Sequence, residues 1–311
     1  MSDNIGAPYM CSLSADVPVS KPSSVTASDC ALLVMSCDAY SDLWTPFFTL
    51  LDCYWPDCPF PVFLGAGELD CGLRAVTTLK SGGGRDWSKC FQDCLEQLET
   101  KYVLVMLDDF FLRRKVSTSE VLKCLRFALM TDAVQLRLIP RPRPTGRLLG
   151  EKLIGESGLG SPYRVSTQAA IWNRMRLLEM LRPGETIWEF EYNANARADE
   201  LPGGFYSVWR PVLPYQGTWA HHVVEKGKWF FHEKWIFGRQ NIGCDFSRRE
   251  TLPLRQTVFY HLAQTVDRLL DFLPWQAKAR CKRLLKKSLR PFLGRALDRL
   301  GQAPARSRPV S

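Results

Sequence analysis

Apolar and polar positions along this chain alternate between two periods. Residues 31–35 (Ala-Leu-Leu-Val-Met) form a continuous apolar run, the pattern of a strand buried on both faces. A polar turn follows over 36–41. Leu43, Phe47, Leu50, Leu51 and Tyr54 then recur at helical spacing, so a helix is predicted over 42–54, with Ser41 as its cap. Trp55, Pro56 and Pro59 stop it. Residues 61–64 read as a second strand, 87–100 as a helix, 102–107 as an apolar strand and 134–139 as another strand. Between the last two, 117–131 reads as a helix, opened by Ser117 and Glu120 at capping-box spacing. This alternation predicts an α/β fold: a mainly parallel sheet with helices on both faces. In such sheets ligands lie beyond the carboxyl ends of the strands, which points at 36–40 and at Asp108 and Asp109.

The rest is less regular. Residues 140–162 are rich in Pro, Gly and Arg and read as a loop excursion; 172–181 reads as a helix closed by Pro183 and Gly184. Aromatics between turn residues over 203–237 suggest short strands and loops. After Leu254 the pattern is helical, with Val258, Leu262, Val266, Leu269 and Leu270 on one face. Three regions result: a flexible, Ser- and Pro-rich lead (1–27), a core domain (28–250) and a helical tail (251–311).

Composition narrows the classes. At 46% hydrophobic, the chain has enough apolar side chain to build a core, which excludes a disordered protein. The formal charge of +9 sits in the tail, where 251–311 carries 13 Lys or Arg against 3 Asp. A neutral body argues against nucleic acid as a partner. The 11 cysteines include no C-x-x-C pair, so a zinc ribbon is unsupported and reduced thiols in a cytoplasmic protein are expected. No apolar run approaches the ~18 residues that would cross a bilayer.

Several motifs fail. The glycines at 82–84 do not make a Walker A loop, and Gly65 and Gly67 lack a third glycine for a dinucleotide site. His232 and Glu233 lack a second His at 236, and Ser157 lacks the Gly of a nucleophile elbow at 159. What survives is Asp108-Asp109 at the end of an apolar strand. Two adjacent carboxylates repel and call for a cation. A hard divalent ion sharing its shell with phosphate oxygens and water would serve.

The segments 36–44, 54–59, 102–112, 168–172 and 187–191 resemble bacterial glycosyltransferases of the GT-A fold that build capsule, lipopolysaccharide and related surface glycans. The resemblance spans about residues 30–237. It implies transfer of a sugar from a nucleotide-sugar donor to a glycan or lipid-linked acceptor, with Mn²⁺ or Mg²⁺ held by Asp109 and Asp108 against the diphosphate. Ser36, Asp38 and Tyr40 would meet the nucleoside, although Asp38 and Ser41 equally suit ordinary turn and cap chemistry. Asp86 would contact the nucleoside or cap the next helix. Gln168 would touch a sugar hydroxyl or sit as a buried, satisfied amide. Glu189, with Glu191 second, would be the carboxylate that accepts the acceptor's proton; the two share a face in an extended segment and diverge in a helix. Of His221 and His222, one would complete the metal shell, His221 being the choice. The alternative is a non-catalytic assembly protein that keeps the fold and docks through its tail. In that tail, Leu284, Leu285, Leu289, Phe292, Leu293 and Leu297 recur among Lys and Arg, with Pro291 dividing the segment. A basic amphipathic helix of this kind would hold the chain peripherally on the anionic inner face of the cytoplasmic membrane, each cation contributing about 1 kcal/mol. Packing of the leucines on the domain is the other outcome.

Overall fold

The computed structural model describes residues 29–270 except 85, 162, 216–221 and 241, and after these only 273, 277, 280, 281 and 284. The expected lead at 1–27, and the tail pattern beyond Leu284, lie outside the described residues. Chain order begins with β1 (Cys30–Met35), a 3-10 turn (Asp38–Leu43), α1 (Trp44–Tyr54), β2 (Val62–Ala66) and β3 (Thr77–Lys80). It continues with α2 (Trp87–Glu96), β4 (Tyr102–Leu107), α3 (Thr118–Thr131) and β5 (Gln135–Arg137). Next come β6 (Gly146–Arg147), β7 (Ile154–Glu156), β8 (Ala170–Asn173), α4 (Arg174–Met180), α5 (Ile187–Glu200) and β9 (Phe205–Val208). The last elements are β10 (Val224–Glu225), β11 (Lys228–Trp229), α6 (Glu233–Gln240) and α7 (Leu254–Leu269).

Nine strands form one sheet in the order β3-β2-β1-β4-β8-β5-β9-β7-β6. The half from β3 to β4 is parallel throughout. β8 inserts antiparallel between β4 and β5, and β7 is antiparallel to β9 and β6. Within this sheet, then, β7 and β8 run against the rest. The fold is α/β, as the periodicity predicts, with both sheet faces covered. Alternate residues of β1 show why: Cys30, Leu32 and Val34 pack with α1 and α3, while Ala31, Leu33 and Met35 pack with α2, α4 and α5. All six are buried, as a continuous apolar run requires.

Local expectations are corrected at three points. Trp172 belongs to β8, not to a helix; the helix begins at Arg174, where the Asn173 side chain accepts from the Arg176 amide at 3.3 Å. Ser117 makes no capping bond, because its hydroxyl meets Ser119 and Glu120 is taken by Arg210. Ser41 lies inside the 3-10 turn, and Leu43 stands at the N-cap of α1.

The segment after β9 returns over the carboxyl ends of β1 and β4, and two ion pairs hold it there. Arg249 grips both oxygens of Asp42 at 2.7 Å, and Arg113, just beyond β4, meets the fully buried Glu233 at 2.7 Å. His232 also reaches Glu233, at 3.1 Å. The helix α7 packs on this segment through Tyr260 and His261, so a boundary drawn at 250 runs between parts that touch.

Glu233→Gln is expected to cost about 3 kcal/mol in urea denaturation at neutral pH, because Arg113 loses its counter-charge inside the protein. Burial pushes the Glu233 carboxyl up, but the His232 hydrogen bond and the Arg113 charge outweigh it and hold it below the ordinary value of 4.5. A depressed folded-state value means that the contribution is present above 4.5 and fades as pH falls through the lower folded value. The gap between wild type and variant should therefore narrow in acid. A gap that is absent at neutral pH would show that the pair does not hold the segment.

Candidate active site

β1 and β4 are neighbours in register, with Met35 opposite Leu107, so the residues that follow them meet. The Asp108 amide donates to the Met35 carbonyl at 3.3 Å, and the Ser36 hydroxyl donates to Asp108 Oδ2. Trp44, at the start of α1, donates its indole N–H to Ser36 Oγ at 2.6 Å. Ser36 therefore links Trp44 to Asp108. Its hydroxyl already has a donor and an acceptor, so it orients the carboxylate from beneath.

Asp108 is buried, and its carboxyl lies well above the ordinary range because burial and then the Asp109 charge penalise ionisation. Burial raises Asp109 as well, opposed by the charge of His222. Oδ1 of Asp109 is buried and accepts no hydrogen bond from the described residues. An orphaned carboxylate oxygen beside a second carboxylate is a hard donor that suits a divalent cation. Among the described residues, no three His, Cys, Asp or Glu side chains gather as a metal site. Phosphate oxygens and water would have to complete any shell.

His222 lies close enough to Asp109 for the two charges to interact. Its Nε2 lies 2.9 Å from Glu225 Oε2 and 3.2 Å from the Tyr260 hydroxyl. Burial pulls its basicity down, yet the Glu225 hydrogen bond and the Asp109 charge win and raise it above the ordinary 6.5. The Val223 amide, next in sequence, donates to the Asp109 carbonyl at 3.0 Å and holds this strip on the carboxylates. His221, the expected histidine, lies outside the described residues.

The other expected residues divide. Asp38 accepts from the amides of Gly67 (3.0 Å), Glu68 (2.9 Å) and Leu69 (3.3 Å), so it ties down the loop after β2. Tyr40 lies under the Arg249 guanidinium, 4.0 Å from its ring centroid. Asp86 caps α2, accepting from the Lys89 amide at 2.9 Å. Gln168 Oε1 accepts from the Tyr215 hydroxyl at 2.9 Å, and Tyr215 stacks on Phe110 at 4.7 Å, directly after the Asp pair. Gln168 thus belongs to the neighbourhood of the site.

Residues 187–191 open α5, so the two glutamates diverge. Glu189 closes a capping box with Thr186, which commits its carboxylate to the helix end. Glu191 turns toward the residues before Gln168. Its Oε1 accepts from the Thr167 amide at 2.7 Å, the Thr167 hydroxyl at 2.8 Å and the Ser166 hydroxyl at 3.2 Å. Arg249 and Tyr260 complete the surroundings. Neither stands in a motif; both reach the site from more than 100 residues along the chain, through tertiary packing alone.

No known protein family and no curated protein matches the chain. Among solved structures, S. aureus TarS 1–349 in complex with UDP-GlcNAc is 15% identical, with a TM-score of 0.37 over 78% of this chain and 73% of that one. TarS 1–349 in another crystal structure gives 14% identity and a TM-score of 0.38, and the bifunctional IspDF of Campylobacter jejuni gives 12% and 0.33. The alignment spans 57% of that TarS chain and 48% of IspDF. At this degree of likeness nothing about chemistry follows.

Asp109→Asn should raise the melting temperature by about 3 °C, since it removes one of two repelling buried carboxylates at a cost of roughly one hydrogen-bond adjustment. Differential scanning calorimetry checks it; a fall of several degrees would mean that the charge is needed to hold the strand end.

Proposed function

We propose that this chain is a glycosyltransferase that moves a sugar from a nucleotide-sugar donor to a glycan or lipid-linked acceptor in surface-polysaccharide synthesis. The observation that carries the reading is the Asp108-Asp109 pair at the carboxyl end of β4, with Asp108 buried and the buried Oδ1 of Asp109 without a hydrogen-bond partner among the described residues. The resemblance of residues 36–44, 102–112 and 168–172 to GT-A enzymes points the same way.

In this reading Asp109, backed by Asp108, holds Mn²⁺ or Mg²⁺. The ion would supply charge stabilisation to the departing diphosphate. Ser36 and Trp44 keep the Asp108 carboxylate in place. Asp38 fixes the loop at 67–69, which borders the space for the nucleoside, and Tyr40, with one ring face under Arg249, shapes the same edge. Gln168, aligned by Tyr215, offers its amide N–H to a sugar hydroxyl. Glu191 is the better choice for the acceptor's proton, because its bonds to Ser166 and Thr167 hold it beside Gln168, whereas those of Glu189 tie it to the helix cap. His222, favoured in its charged form, faces the developing negative charge. The basic tail would hold the enzyme peripherally on the cytoplasmic face of the membrane.

A nucleoside diphosphate with Mn²⁺ should stabilise the chain by about 2.7 kcal/mol at a hundredfold excess over its dissociation constant, and an oligonucleotide should not. The shift should vanish in Asp109→Ala while the fold persists by circular dichroism. No shift with any nucleoside diphosphate would reject the reading.

Once a donor is identified, Glu191→Gln should lower kcat about a hundredfold with little change in donor affinity, and Glu189→Gln should leave kcat within a few-fold, since Gln also serves the third position of a capping box. The reverse pattern would return the proton-accepting role to Glu189.

A further inference from the structure

The helix α7 is turned inside out for a helix surrounded by water. Its buried or half-buried positions are Thr257, Phe259, Tyr260, His261 and Gln264. Three of them make polar contacts with the body, the Phe231 amide with the Thr257 hydroxyl at 3.5 Å, Tyr260 with His222 at 3.2 Å and His261 with His232 at 3.4 Å, and the Tyr260 ring packs on Phe230 at 4.9 Å. Leu254, Val258, Leu262, Val266 and Leu269 point the other way and are 39–63% exposed. Their spacing places them on a single stripe rotated away from the docked face. Phe231 and Trp235 carry the same surface onto α6, at 51% and 62% exposure. Between them and the start of α7 lies an open, largely apolar depression of about 560 Å³. A helix in water buries its apolar stripe, so this surface is built to meet something.

Charge indicates what. Lys234 borders the depression, Arg239 lies over the Trp235 ring at 4.3 Å, and Arg255 is exposed at the start of α7. The chain from 251 onward carries 13 Lys or Arg against 3 Asp. Aliphatics in a stripe, aromatics at its end and cations at its border are the marks of a helix lying in an anionic interface. Among the described residues no helix is long and apolar enough to cross a membrane.

We propose that the outward face of α7, together with Phe231 and Trp235, seats the protein on an anionic lipid bilayer, with α7 lying in the headgroup plane. This deepens the attachment proposed for the tail (251–311): the contact is assigned to its first helix, which packs on the folded body, and not to the basic stretch beyond it. The opposite side of the same helix touches His222, so one helix diameter, about 10 Å, separates the lipid from the candidate site.

Sedimentation of the full chain with vesicles tests it, without donor, acceptor or turnover, so it stands apart from the enzymatic reading. Vesicles of phosphatidylcholine with about one-third phosphatidylglycerol should bind the wild type at low salt, and phosphatidylcholine alone should bind it poorly. The double variant Leu262→Glu, Val266→Glu alters exposed positions only and should keep its circular dichroism and melting temperature while losing binding by about tenfold or more. Lys286→Gln, Lys287→Gln, Arg290→Gln separates the tail from the helix: this chain should still bind more tightly than the α7 variant. Binding unchanged in the α7 variant, or abolished by the tail changes alone, overturns the proposal. So does a wild type that is dimeric in solution and becomes monomeric with the α7 changes, since a second copy is then the occupant.

Discussion

Two carboxylates side by side at the end of a buried strand are a liability that the surrounding structure must answer. Burial raises both, and their mutual repulsion adds to it at Asp108. The answers come from three places. Ser36 donates from the end of β1, itself oriented by Trp44. Arg249 adds positive potential from a pair with Asp42, and His222 does so from a pair with Glu225. Each helper already has another partner, and among the described residues Asp109 Oδ1 has none. Much of the tertiary structure around β1 and β4 makes sense as compensation for that pair.

How much of this could be read from the sequence depended on the range of the forces involved. β1, β4 and the helices between them are set by local hydrophobic period, and the prediction of an α/β sheet followed from them. The Asp pair stood out because carboxylates rarely close an apolar run. Tertiary choices were not legible. Trp172 reads as the first residue of a helix because a helical pattern follows it, and Ala170 and Ile171 carry no period; only insertion between β4 and β5 makes 170–173 a strand. The short edge strand β3, largely exposed, has no apolar signature at all. Capping chemistry misled in one direction and was hidden in the other: Ser117 and Glu120 have the right spacing and different partners, whereas Thr186 and Glu189 form the real box. That box commits the Glu189 carboxylate to the start of α5.

The helix α7 shows a different limit. Its amphipathic period was plain, but period alone does not say which stripe faces inward. Thr257, Tyr260 and His261 supply polar contacts that dock it, and three histidine rings gather around Phe230: His222 at 5.6 Å, His232 at 5.9 Å and His261 at 5.2 Å. The inward face of the helix thus meets an aromatic centre, Phe230, ringed by polar edges.

Gly67 carries a consequence for how this chain can drift. A Cβ there would come within 2.8 Å of Asp38 Oδ2, while the Gly67 amide already donates to Oδ1 of the same carboxylate. Neither residue can change first without loss: a side chain at 67 displaces the carboxylate, and a shorter residue at 38 strips three loop amides of their acceptor. Related chains should therefore keep both or have exchanged both, with the 67–69 loop rebuilt in the second case. The two positions, 29 residues apart, form one heritable unit.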